Sequence, residues 1–238
     1  SYPNATRPAL DDITTVIPAQ KITLIYGENG SGKSTISKLI YRFFDPDSGT
    51  VLFGGKDIRE YDPQKLRAQF GVIFQDAVRY YCSLKENVTL GRVDGPFSES
   101  QYEIAVKNAE LQDMIKELPD DENTNLGRYF QSGTQLSSGQ WQRLALARLH
   151  YSDRPIMILD EPTSAMDPWT EKKWLKSLKK SSKNKTVIII THRVSTARIA
   201  DHVIVLKKGK VAESGSPDDL KKSGGYFAGI EMNNRRHI

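Results

Sequence analysis

Cysteine is nearly absent from this 238-residue chain, with Cys82 standing alone. One thiol cannot close an internal disulfide, and a zinc site built on several cysteines is excluded with it. No uncharged apolar run approaches the roughly 18 residues that a membrane-crossing helix needs; the longest aliphatic stretches, at 156–159 and 187–190, are far shorter. The first residues show no basic segment followed by an apolar one, so no secretory leader is expected. Internal repeats and low-complexity blocks are missing as well. Charge bias is weak, because 34 Lys and Arg against 29 Asp and Glu leave a formal net charge of +5. That balance permits an acidic partner without requiring one. These absences lead us to expect a soluble chain kept in a reducing compartment. What is present, 38% hydrophobic and 26% charged residues, suits a folded domain with a sizeable core and argues against disorder. Ser1 rather than Met opens the chain, which fits a processed product or a piece of something longer.

Short aliphatic runs bounded by turn residues alternate with longer helical patterns, the reading of a parallel α/β sheet. Strands are expected at 22–26, 71–74, 156–160, 187–191 and 203–206. From Ser34 the apolar residues Ile36, Leu39, Ile40, Phe43 and Phe44 follow the spacing of one buried helix face, which 45–49 should end. About eighty residues between Phe74 and Ile156 contain no convincing strand and carry helical patterns at 99–109, 111–117 and 139–149. They read as a helical insertion. Gly224-Gly225 should loosen the chain before a polar tail.

Chemistry enters at Gly27-Glu28-Asn29-Gly30-Ser31-Gly32-Lys33-Ser34, which satisfies G-x-x-x-x-G-K-[ST] and lies between a strand and a helix. Its glycines let backbone N–H groups wrap a phosphate at a helix N-terminus. Lys33 adds a full charge and Ser34 a hydroxyl for Mg²⁺, so a nucleoside triphosphate is the expected ligand. The run ending Leu159-Asp160-Glu161 brings two carboxylates to a strand end beside such a crevice. Asp160 suits Mg²⁺, which prefers oxygen ligands, and Glu161 suits a general base acting on water. His192 and Gln75 each follow an aliphatic run in the same way. His192 is open to a catalytic or a structural reading, and Gln75 could orient water, touch Mg²⁺ or simply face solvent. Leu136-Ser137-Ser138-Gly139-Gln140 precedes another helix, as a cap and as a second phosphate-compatible helix start.

This ordered set, completed by Ser164-Ala165-Met166-Asp167, resembles the nucleotide-binding domain of ABC transporters over essentially the whole chain. The resemblance implies an α/β fold: a P-loop NTPase core with a mainly parallel sheet, an antiparallel β region near the N-terminus and a helical subdomain insertion. It implies one domain over 1–238, with its core at about 1–79 and 151–238 and the helical subdomain at about 80–150. ATP and Mg²⁺ are the implied cofactors. Thr35 joins Gly27, Asn29, Gly30, Ser31, Gly32, Lys33 and Ser34 around the phosphates, with Ser34, Gln75 and Asp160 on the metal. The implied assembly is a head-to-tail dimer in which Ser137, Gly139 and Gln140 of one copy close on ATP held by the other. Asp167 would reach across that interface, His192 would contact the γ-phosphate, and Tyr2 aligns with the aromatic that stacks on adenine.

Two residues depart from the family pattern. Ser138 replaces a glycine of the signature, leaving Ser137 and Gly139 to make backbone contacts. Met166 replaces a leucine, a volume-conserving change. The segments Phe74-Gln75-Asp76 and Lys85-Glu86-Asn87-Val88 are similar to those of exporters, in which a membrane domain precedes the nucleotide domain. Asn125-Leu126-Gly127-Arg128 differs from the usual exporter sequence, and the surroundings of the signature are similar to bacterial peptide or lantibiotic exporters. A transmembrane domain and a place on the cytoplasmic side of a bacterial membrane are implied. The alternatives are a soluble ABC-type ATPase acting on DNA or ribosomes and a P-loop kinase. The helix expected at 168–180 puts Lys172, Lys173, Lys176, Lys179 and Lys180 on one side and Trp174, Leu175 and Leu178 on the other. With no aromatic read among the lysines for base stacking, a solvated amphipathic face is favoured and no nucleic acid is expected.

Overall fold

β1 (Ile22–Gly27) is buried along its whole length, as a strand covered on both faces must be. The computed structural model describes residues 7–75 and 78–235. After β1 come α1 (Lys33–Ile40), the two-residue strands β2 (Leu52–Phe53) and β3 (Lys56–Asp57), α2 (Pro63–Arg67) and β4 (Phe70–Ile73). Four helices follow: α3 (Leu84–Thr89), α4 (Glu99–Asn108), α5 (Gln112–Lys116) and α6 (Ser138–Ser152). The chain then forms β5 (Ile156–Asp160), α7 (Pro168–Ser181), β6 (Thr186–Thr191), β7 (His202–Lys207), β8 (Lys210–Gly215), α8 (Pro217–Lys222) and α9 (Tyr226–Arg235). Among the described residues no helix is long and apolar enough to cross a membrane.

Two compact units divide the chain: Ser1–Phe70 with Pro155–Glu161 and Ser182–Ile238, and Gly71–Arg154 with Pro162–Ser181. In the first, the strand order is β5-β6-β1-β7-β8, with β4, on which the chain leaves the unit, at the edge beside β5. The pairs β5–β6, β6–β1 and β1–β7 are parallel, and β7–β8 is antiparallel. The small β2–β3 hairpin is also antiparallel. This is the α/β fold expected, with a mostly parallel sheet. Leu24, Tyr26, Val203, Val205 and Leu220 pack around the fully buried ring of Phe227.

Two local expectations need correction. α1 stops at Ile40, so Phe43 and Phe44 lie beyond the helix, each about half exposed (50% and 51%). Arg42 adopts φ +54, and the N–H groups of Arg42 and Phe43 return to the carbonyls of Leu39 and Lys38, a closure that ends a helix regardless of the apolar spacing beyond it. Gly224-Gly225 does not loosen the tail: α9 begins immediately afterwards. The carboxylate of Glu213 on β8 accepts the N–H groups of Tyr226 (2.6 Å) and Phe227 (3.0 Å), and a Cβ at Gly225 would collide with it.

The second unit is helical. α6 packs against α3 and α4, burying Trp141, Leu144, Ala145, Leu146 and Leu149. Arg148 of α6 donates to the backbone carbonyls of Asn87 (3.2 Å) and Val78 (3.2 Å) and to Asn87 Oδ1 (3.0 Å), and lies 4.5 Å from the ring centroid of Tyr80. α7 buries Trp174, Leu175 and Leu178.

Candidate functional site

The segment from Gly27 to Ser34 turns directly from β1 into α1. Ser31 N–H bonds to Glu28 O at 3.2 Å, and Ser31 O accepts from Gly209 N at 3.1 Å. Gly32 caps the helix at φ +103, and any Cβ there would meet Leu10 Cδ2 at 2.6 Å and Ala9 O at 2.9 Å. The earliest bonds of α1 run from Thr35 and Ile36 to Gly32 O, so the N–H groups of Lys33 and Ser34 precede the ladder and point outward. Lys33 is buried, and its Nζ donates to Gly27 O (2.7 Å) and Glu28 O (3.0 Å). Burial pushes the Lys33 ammonium below its ordinary value, opposed by the charges of Glu161 and Asp160. Ser31 Oγ is buried without a hydrogen-bond partner. Asn29, Gly30 and the Ser34 hydroxyl are at the exposed rim. Unused N–H groups, a positioned ammonium and an orphaned hydroxyl fit a polyphosphate. The Ser34 hydroxyl and the Asp160 carboxylate are oxygen groups of the kind that Mg²⁺ prefers.

Asp160 ends β5, and its carboxyl is pushed up to about 6, first by burial and then by the charge of Glu161, with Lys33 opposing. Glu161 takes φ +49, a conformation that a non-glycine residue holds only when its surroundings enforce it. Here Glu161 N–H bonds to Ile190 O (2.8 Å), while Thr191 Oγ1 donates to Oε2 (2.8 Å) and His192 N–H to Oε1 (3.2 Å). His192 Nδ1 lies 2.8 Å from the same Oε1. The structure therefore brings together Lys33, Asp160, Glu161 and His192. Thr191 was missed by the sequence reading; its signal was a polar residue closing an otherwise aliphatic strand, and it is buried.

The Asp160 shift gives a signed stability prediction. Its unfolded carboxyl ionises near 3.9, so above about pH 6 ionisation favours the unfolded chain, and the penalty fades as pH falls from about 6 towards 4. Asp160→Asn should raise the melting temperature of the ligand-free chain at pH 8 by about 2–6 °C, of the order of 1–2 kcal/mol. Thermal melts across pH should show that gain shrinking below pH 6; a constant or absent gain would refute it.

Ser137, Gly139, Gln140, Asp167 and Gln75 belong to the second unit. Ser137 caps α6: its Oγ accepts from Gln140 N (3.2 Å), and Gln140 Oε1 accepts from Ser137 N (2.7 Å). Gln142 ties this helix start to the 163–167 segment, donating to Ser164 Oγ (3.4 Å) and accepting from Ala165 N (3.2 Å). A Cβ at Gly139 would stand 3.3 Å from Ala165 O. Asp167 caps α7, with Oδ1 accepting from Trp169 N and Thr170 N (each 3.0 Å) and Oδ2 from Thr170 Oγ1 (2.6 Å). These bonds hold its carboxyl below the usual range. Gln75 is exposed, just past β4. Tyr2 lies outside the described residues.

The family described as "ABC transporter" matches residues 10–164, more than half of the chain. The chain belongs to the ABC transporter family. This ABC transporter chain is 39% identical over 230 residues to an ATP-dependent lipid A-core flippase of Cupriavidus pinatubonensis, covering 96% of the chain and 38% of the flippase. It is 40% identical over 216 residues to the mitochondrial iron-sulfur clusters transporter ATM1 of Candida glabrata, covering 90% of the chain and 29% of that relative. A solved bacterial Atm1-family ABC exporter with ATP bound superposes with a TM-score of 0.88 at 35% identity, over 100% of this chain and 40% of that one. The chain thus spans well under half the length of these relatives. It is an ABC transporter ATPase domain with exporter homologues, and ATP binding follows from the family.

Proposed function

We propose that this chain is the ATP-hydrolysing motor domain of an ABC exporter, working as a head-to-tail dimer with composite ATP sites and driving a substrate through an associated transmembrane domain. The observation that carries the reading is the Glu161 carboxylate. It is fixed by Thr191 and His192 and stands close enough to Lys33 to act on its charge. A carboxylate so oriented can take a proton from a water aimed at a phosphate next to that ammonium. Gly27, Asn29, Gly30, Ser31, Gly32 and Thr35 shape the phosphate cradle, and Lys33 neutralises the β/γ-phosphates. Ser34, Asp160 and Gln75 would hold Mg²⁺, whose chemistry is to offset phosphate charge. His192 would address the γ-phosphate, and Tyr2 the adenine.

Ser137, Gly139 and Gln140 would present a helix start to the nucleotide of a second copy, identical or homologous, with Asp167 at the same junction. Gln75 would also answer to the membrane domain. Relatives named as membrane transporters support a place on the cytoplasmic side of a membrane, and we infer a bacterial one. Closure supplies mechanical work because the nucleotide touches both copies only when they are together. The test is the solution mass of the Glu161→Gln chain by light scattering with and without Mg-ATP. A nucleotide-dependent shift from one chain to two is expected; a monomer that binds ATP would refute dimer closure by this chain alone.

A further inference from the structure

The second residue of the phosphate loop is an acid. Glu28 serves the loop through its backbone, since its carbonyl oxygen accepts from Lys33 Nζ (3.0 Å) and Ser31 N (3.2 Å). Its side chain has no such duty, and a carboxylate beside a site that suits a polyphosphate is a like-charge liability. The structure gives that carboxylate a different partner, distant in sequence: Tyr226 Oη donates to Glu28 Oε1 at 2.7 Å. The carboxylates that act on the Lys33 ammonium are Glu161 and Asp160, whereas the charge of Glu28 acts on Tyr26 and Tyr226.

Tyr226 comes to this position on a fixed platform. It opens α9, its N–H and that of Phe227 are held by the Glu213 carboxylate, and Phe227 is wholly buried against Leu24, Tyr26 and Val205. Lys207 Nζ, 4.6 Å from the ring centroid, covers the face of the Tyr226 ring. The phenol is held above its ordinary value, first by the Glu28 bond, so it remains a donor at any physiological pH.

We propose that Tyr226 is a positioning residue for the nucleotide site, its hydroxyl holding the Glu28 carboxylate away from the polyphosphate that the loop binds. The inference rests on the nucleotide reading above and adds the C-terminal helix to the determinants of ATP affinity. Tyr226→Phe keeps the ring and its packing while releasing the carboxylate. Glu28→Asp keeps the charge but shortens the side chain below the reach of the hydroxyl, without touching α9.

The experiment is titration calorimetry of Mg-ATP with the full chain at low and high salt. It compares wild type, Tyr226→Phe, Glu28→Asp, Glu28→Gln and the double variant Glu28→Gln/Tyr226→Phe. Tyr226→Phe and Glu28→Asp should each weaken ATP binding by about three- to tenfold at low salt, with most of the loss recovered at high salt. The double variant should bind as Glu28→Gln does, because no charge remains to be held. An equal loss from Tyr226→Phe whether or not Glu28→Gln is also present would mean that the tyrosine acts through packing, and would overturn the proposal. Unchanged affinity in Glu28→Asp would overturn it independently of how well Tyr226→Phe folds. A wild-type chain that binds no ATP would instead overturn the nucleotide reading itself, and this inference with it.

Discussion

Glu161→Gln is expected to slow ATP hydrolysis by about 10²–10⁴-fold while leaving ATP affinity within a few-fold. The substitution is nearly isosteric and cannot accept a proton. Glu161 accepts at both oxygens, from Thr191 Oγ1 on one and His192 N–H on the other, whereas glutamine offers only one acceptor. One of these contacts is therefore lost or reversed, at a cost of about 1 kcal/mol. That small loss falls on a loop residue already held by its own N–H on Ile190 O, so the fold should persist. Phosphate release under saturating ATP checks the rate, and calorimetry checks the affinity. A variant that turns over normally would remove Glu161 from the role of base.

Lys33→Ala should weaken ATP binding by at least about 100-fold, and Lys33→Arg should not restore it. The ammonium is positioned before any ligand arrives, on the carbonyls of Gly27 and Glu28. Charge-assisted bonds to an anion are the strong ones, at about 1.5–3 kcal/mol each. A guanidinium is planar and wider, and it cannot repeat the point contact of a buried ammonium with two converging carbonyls. Binding measured by calorimetry decides it; an arginine variant that binds like wild type would mean that charge alone, without this placement, holds the nucleotide.

Much of the fold was legible because its strands are short runs of Ile, Val and Leu with little else competing for them. The phosphate loop was legible because its backbone demands glycines at particular positions. Other features depend on hydrogen bonds that apolar spacing and composition do not announce. The end of α1 follows from a carbonyl closure at Leu39 and Lys38, which the apolar spacing through Phe43 and Phe44 disguises. α9 was invisible behind Gly224-Gly225 because what starts it is Glu213, on another strand. β8 alternates exposed and half-buried residues at the sheet margin, and it lacks the aliphatic signature of the inner strands. Glu161 and His192 could each be noticed as strand-ending polar residues, but their mutual contact is set by the β5–β6 register, in which Asp160 lies beside Ile190.

The centre of the sheet also constrains how the molecule is made. β1 carries the phosphate loop, yet both its neighbours in the sheet are made long after it: Ile22 pairs with Val187, and Thr23 with His202. At about 5–20 residues per second, a strand buried at all six positions waits for many seconds with both edges unmatched. The nascent chain therefore holds this largely apolar strand without its sheet partners throughout that interval. Chaperones that bind extended aliphatic peptides have that interval in which to act.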